Sequence, residues 1–149
     1  MVRFNFNRLA ALFGGIVMLF ISCVGLDAKK TALINTKWVC VKEMFVADAG
    51  TSTDTYTIEF TSAKECNYKM GWYLPAHPAM YMNSDGTVDT IPARCSESVS
   101  KCTWAFRRGK LTLRFEDGSV KEFTYKDDKL TGAEKYVDGT DMVFEKSAD

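Results

Sequence analysis

From Thr36 onward the chain switches between apolar and polar residues at every second position, and this alternation constrains the fold more than any other feature. In "TYTIEFT", Tyr56, Ile58 and Phe60 share one face while Thr57, Glu59 and Thr61 share the other. "ECNYKMGW" aligns Cys66, Tyr68, Met70 and Trp72, and "CTWAFRR" aligns Cys102, Trp104 and Phe106. "LTLRFE" sets Leu111, Leu113 and Phe115 against Thr112, Arg114 and Glu116. "VKEFTYK" and "DMVFEK" place Phe123 with Tyr125 and Met142 with Phe144. Side chains in a strand point to opposite faces in turn, so this pattern marks strands with one buried and one wet face. Turn residues separate the runs: Gly109 in "RRGK", Gly118 in "EDGS", Asp127-Asp128 in "KDDK" and Gly139 in "VDGT". Turns every 8–12 residues predict an antiparallel meander. Only "AEKYVDG" offers a helical turn, and Gly132 beside it favours an irregular, bulged strand. The expected fold is all-β: an antiparallel up-and-down β-barrel or half-barrel of about eight strands.

One region breaks the rhythm. Residues 71–94 hold all three prolines (Pro75, Pro78 and Pro92) and the single histidine, His77. Proline fixes φ and removes a ladder donor, so Leu74 to Ala79 is expected to be a loop. The region is also rich in Trp72, Tyr73, Met80, Tyr81 and Met82. Long loops with large apolar residues act as lids or binding loops, or pack down as plugs.

The amino terminus reads as a targeting signal. Arg3 and Arg8 precede the uncharged run from Leu9 to Ser22, which is short for a membrane span of ~20 residues. Residues 1–22 are therefore assigned to a signal peptide, with cleavage as late as residue 28 as the alternative. Residues 23–35 form a tether, and residues 36–149 form the folded domain. Ser22 and Cys23 suit lipid attachment at Cys23, which would place the protein on the bacterial cell envelope. Ordinary signal cleavage would instead leave it soluble, in the periplasm or secreted. The chain carries 19 basic and 19 acidic residues, and losing Arg3 and Arg8 leaves the mature part near −2. Without a basic surplus to neutralise phosphates, nucleic acid is not an expected partner. Export makes two disulfides the default for Cys40, Cys66, Cys95 and Cys102. Four cysteines allow three pairings. Cys66–Cys95 with Cys40–Cys102 is preferred because it closes the base of the 71–94 region. Cys95–Cys102 with Cys40–Cys66 is its main rival.

A leader with a cysteine, a tryptophan early in the first strand ("NTKWVC") and the closing meander "TWAFRRGKLTLRFEDGSVKEFTYKDDKLTG" together resemble the lipocalin-like β-barrel lipoproteins of bacterial envelopes. The resemblance spans residues 35–146. Lipocalins carry Gly-x-Trp at the first strand, whereas here Thr36 stands two before Trp38. The resemblance implies a barrel that can enclose a small apolar ligand, and it assigns no residue-level site.

The chemistry-bearing residues are sparse. A Ser–His or Cys–His pair needs a base, and His77 is alone. A zinc site would have to combine Cys66, His77, Cys95 and Cys102 without a Cys-x-x-Cys pair. Glycosidase-like carboxylates would come from acids such as Glu59, Glu65 and Glu97. Strand charges of this kind usually form a solvated face. The expectation is thus a non-enzymatic envelope lipoprotein with no cofactor and no metal, binding a small apolar ligand or an envelope protein. The candidate ligand contacts are Trp72, Tyr73, Tyr81, Trp104 and Phe106. The alternatives are an inhibitor or interaction module acting through residues 71–94, and a carboxylate-based hydrolase.

Overall fold

The computed structural model describes residues 28–148; the leader and Cys23 lie outside the described residues. A short helix over 28–33 leads into ten strands. These are β1 (Lys37–Val46), β2 (Gly50–Phe60), β3 (Glu65–Leu74), β4 (His77–Met82), β5 (Val88–Ile91), β6 (Arg94–Arg107), β7 (Lys110–Phe115), β8 (Val120–Lys126), β9 (Lys129–Lys135) and β10 (Asp141–Lys146). Eight of them close an antiparallel barrel in the order β1-β10-β9-β8-β7-β6-β3-β2. Each barrel strand neighbours the next in sequence, except that β4 and β5 form a separate two-stranded hairpin inserted between β3 and β6. The expected up-and-down barrel of about eight strands is therefore what the chain forms.

The turns explain the connections. Arg108 and Gly109, and likewise Asp127 and Asp128, all have positive φ, which makes both connections two-residue hairpin turns that match strand twist. Three longer turns share one design. Asp85, Asp117 and Asp138 each accept a backbone N–H bond from Thr87, Ser119 and Thr140, with a glycine at positive φ in between. In β9 the register slips against β10 between Asp141 and Val143, giving the bulge expected near Gly132.

The alternating apolar residues converge inside the barrel. Ile58, Phe60, Leu111, Leu113, Leu130 and Phe144 are essentially sealed from solvent, and Trp38, Tyr68, Trp104 and Phe123 pack among them. Phe60 meets Trp104 edge-on at 4.8 Å between ring centres, and Phe123 meets Phe144 at 5.4 Å. Such edge-to-face contacts add to the gain from burial. Thr36, which stands where the family resemblance expects glycine, accepts the Trp38 indole N–H at 2.9 Å and donates to Leu33 O. Residues 28–35, read from sequence as part of a tether, belong to the fold. Leu33 is buried in the core, and Lys30 lies 5.5 Å from the centre of the Trp104 ring.

The barrel is lopsided. β1 pairs with β10 only at Trp38–Lys146 and Val39–Glu145, and β6 pairs with β7 only from Cys102 onward. Yet β1–β2 pairing continues to Val46–Gly50, and β3–β6 pairing continues to Leu74–Arg94. Residues 41–46, 50–55, 70–74 and 94–101 thus form a four-stranded extension beyond the closed ring. Its length above Cys102 is about 26 Å, for eight residues of β6 at ~3.3 Å each. The β4–β5 hairpin sits at its tip. Here the sequence expectation is corrected: Leu74 ends a strand, and His77 to Ala79 lie in another rather than in a loop. Pro78 sits opposite Thr90 in a strand that has only one neighbour, so its missing N–H interrupts no second ladder.

Candidate functional site

The side chains singled out from sequence are distributed over three places. Trp104 is buried, and its indole N–H donates to Ser62 O at 3.0 Å. Phe106 is half-buried and meets Tyr125 edge-on at the helix-capped end. Trp72 and Tyr73 lie on the extension, but adjacent strand residues face opposite ways. Tyr81 is on the hairpin and is 72 % exposed. The five do not form one site. The interior, expected from the resemblance to enclose an apolar ligand, is occupied by the aromatic core.

The inner face of the extension continues the inner face of the barrel. There, Asp54, Tyr56, Met70, Gly71, Trp72, Ser96 and Ser98 line an open cleft of about 280 Å³. The register explains their convergence, because Tyr56 faces Met70 and Met70 faces Ser98, while Asp54 faces Trp72 and Trp72 faces Ser96. The floor is closed by Tyr136, from the turn between β9 and β10. Its hydroxyl donates to Asp54 Oδ2 at 2.8 Å, and its ring lies edge-on to Tyr56. Lys42 Nζ lies 5.8 Å from the Tyr136 ring centre and donates to Thr140 Oγ1. Burial, then the bond to Asp54, pushes the Tyr136 hydroxyl up to about 12. Asp54, Tyr136 and Lys42 were not singled out from sequence. They are brought together across strands, and no local pattern announces them.

Large apolar side chains are exposed on the same end. Val41, Met44, Phe45, Met70, Trp72, Tyr73 and Val99 are exposed on the extension, and Met80, Tyr81, Met82 and Val88 on the hairpin. Among the described residues only Val120 and Val137 are large, apolar and exposed elsewhere. Gathered apolar exposure of this kind marks interaction surfaces rather than ordinary monomer surface.

The cysteines follow the register. Cys66 stands directly opposite Cys102, with their Sγ atoms 2.6 Å apart. Their contact, with burial, holds the Cys66 thiol high, and the same contact holds the Cys102 thiol low. Cys95 faces Tyr73, seven rungs from Cys102, and is exposed. This overturns the expected Cys66–Cys95 closure, since about 23 Å separates partners that must have Cα atoms within ~7 Å. Cys40 shares a rung with Tyr56 and Met70, four residues along β3 from Cys66. Neither Cys40–Cys66 nor Cys40–Cys102 can therefore close.

The zinc set imagined from sequence is not assembled. His77 Nδ1 bonds Pro75 O at 3.0 Å, away from the Cys66–Cys102 pair. Among the described residues, no three of His, Cys, Asp or Glu gather where they could hold a metal ion. Glu59 pairs with Lys69 at 3.2 Å on the outer face. No protein-family model, curated protein or solved structure matches this chain.

Proposed function

We propose that this is an exported, non-enzymatic envelope lipoprotein, anchored at Cys23, whose lipocalin-like barrel serves as a scaffold for a protein-binding end. One observation carries this reading. Eleven of the thirteen large apolar side chains exposed among the described residues lie on the extension and its hairpin. Aromatic and methionine side chains are what interface centres use, and methionine adapts to irregular partners. The barrel supplies rigidity, and the hairpin supplies reach.

The test is capture from solubilised envelope. Full-length protein should retain a specific partner, and the triple variant Met80→Ser, Tyr81→Ser, Met82→Ser should lose at least ten-fold of it. Near-ultraviolet circular dichroism should stay unchanged, because these side chains touch no core. Equal capture by the triple variant would remove the hairpin from the interface.

A second reading follows from the cleft under Trp72. Its volume is near the lower end of ligand pockets, about 300 Å³, and Tyr56, Met70 and Trp72 give it an apolar wall. A small apolar ligand would bind there, outside the barrel. Mass spectrometry of natively purified protein would detect it, and Trp72→Ala should release it.

A further inference from the structure

We propose that Cys66 and Cys102 are joined by a disulfide that staples β3 to β6 at the root of the extension, while Cys40 and Cys95 remain thiols. This pairing is the half of the third possible arrangement that the register permits. It does not depend on what the extension binds.

Three observations carry the proposal. First, the two residues face each other directly and their Cα atoms are within reach. Trp104 N donates to Lys64 O at 2.9 Å, so that rung is hydrogen-bonded. Alternation makes the 66/102 rung hydrogen-bonded as well, with Cα atoms about 5.5 Å apart. That separation falls inside the range of roughly 4.4–6.8 Å that disulfides adopt. Second, both side chains point inward from facing strands, so the two sulfurs are already in contact. Third, the competitors are placed out of reach. Cys95 lies on the outer face near the far end of β6, and Cys40 is inward on β1, with β2 between it and β3.

The oxidation needs an acceptor, and a small disulfide of the oxidised-glutathione type suffices. One cysteine sulfur attacks a sulfur of that disulfide, forms a mixed disulfide and releases one thiolate. The second cysteine sulfur then attacks the first and releases the other thiolate. The two cysteines lose two electrons and two protons; the acceptor gains both electrons and ends as two thiols. Both cysteines are buried in the finished fold. The exchange therefore runs while β3 and β6 are still closing.

Position gives the bond its consequence. At Cys102 and Thr103, β6 is held by β3 and β7 together; above them it is held by β3 alone, and toward Arg107 by β7. The bond closes the loop containing the upper halves of both strands and the whole β4–β5 hairpin. Reduction should loosen that end and spare the meander.

The experiment uses the full chain refolded in a glutathione redox buffer. Free thiols are alkylated in denaturant, and peptides are mapped without reduction. The expected result is one linked peptide pair holding Cys66 and Cys102, with Cys40 and Cys95 alkylated. Alkylation of all cysteines, or Cys66 linked to any other residue, would overturn the proposal. A Cys40→Ser, Cys95→Ser double variant should form the same link. Reduction should lower the thermal midpoint by on the order of 10 °C. It should also speed amide exchange at residues 67–74 and 94–101 at least ten-fold, while β8 to β10 change little. Uniform acceleration across the barrel would show that the bond is no local staple.

Discussion

Tyr136 shows how much a single residue can do without leaving a local trace. It lies in "AEKYVDG", where no alternation and no motif distinguishes it. Its partner Asp54 is 82 positions away and comes into range only because β1 and β2 run on past the end of the β1–β10 pairing. Trp38 and Leu111, by contrast, are legible as core, because the same alternation that forms their strands buries them. The Tyr136 hydroxyl gives a pH prediction. An unfolded tyrosine loses its proton near about pH 10. In the fold, burial first and Asp54 second raise this to about 12. The folded state therefore holds the proton more tightly, and the stabilisation is fully present below about pH 10 and is lost as pH rises toward 12. Urea midpoints should fall across this window. Tyr136→Phe should lower the midpoint near neutrality and flatten the alkaline fall. Tyr68, whose pKa is also raised by burial, would supply part of the remaining slope. Equal alkaline slopes in the variant and the parent would show that Tyr136 is not the group responsible.

At the scale of elements, turns decide what can be read. "EDGS" and "VDGT" announce hairpins, because Asp-Gly supplies both a side-chain acceptor and a residue tolerant of positive φ. "SDGT" at 84–87 makes the same turn, with Asn83 N donating to Thr87 O at 2.7 Å. It escapes a sequence reading because three prolines surround it and proline argues against strands. That argument fails here for a physical reason. A two-stranded hairpin has only one ladder, and Pro78 needs no donor on its free side. The two related turns should respond differently to one substitution. Gly86 and Gly118 have φ of 83° and 84°, and an added Cβ at either would meet nothing within 4 Å. Alanine at either position is thus opposed by backbone conformation alone, at about 1–2 kcal/mol. Gly118 joins β7 to β8 inside the closed barrel, so Gly118→Ala should lower global stability by that amount in urea denaturation. Gly86 belongs to a hairpin outside the barrel. Gly86→Ala should leave the global transition within about 0.5 kcal/mol and instead loosen β4 and β5 locally. An equal loss from both would mean that the hairpin unfolds with the barrel.

The whole molecule has two unlike ends. At one, the 28–33 helix covers the barrel mouth, with Leu33 buried and Lys29 lying 6.0 Å from the centre of the Tyr125 ring. At the other, the apolar extension and hairpin project past the closed ring. The chain enters at the covered end. A lipid at Cys23 would therefore hold that end against the bilayer and aim the other outward. β3, ten residues long, runs from one end toward the other and spans ~33 Å. The meander is legible in sequence because it is a run of neighbouring residues. The polarity is not, since it arises from how far four separate strands extend past their neighbours. It can be tested with lipidated full-length protein in vesicles carrying a nitroxide at position 81, made as Tyr81→Cys in a Cys95→Ser background. Cys95 is the exposed thiol among the described cysteines, so its removal confines the label to the hairpin. The nitroxide should relax with a water-soluble nickel chelate and respond weakly to oxygen, which concentrates in acyl chains. The reverse would put the apolar hairpin in the membrane, and Met80, Tyr81 and Met82 would then be lipid contacts rather than protein contacts.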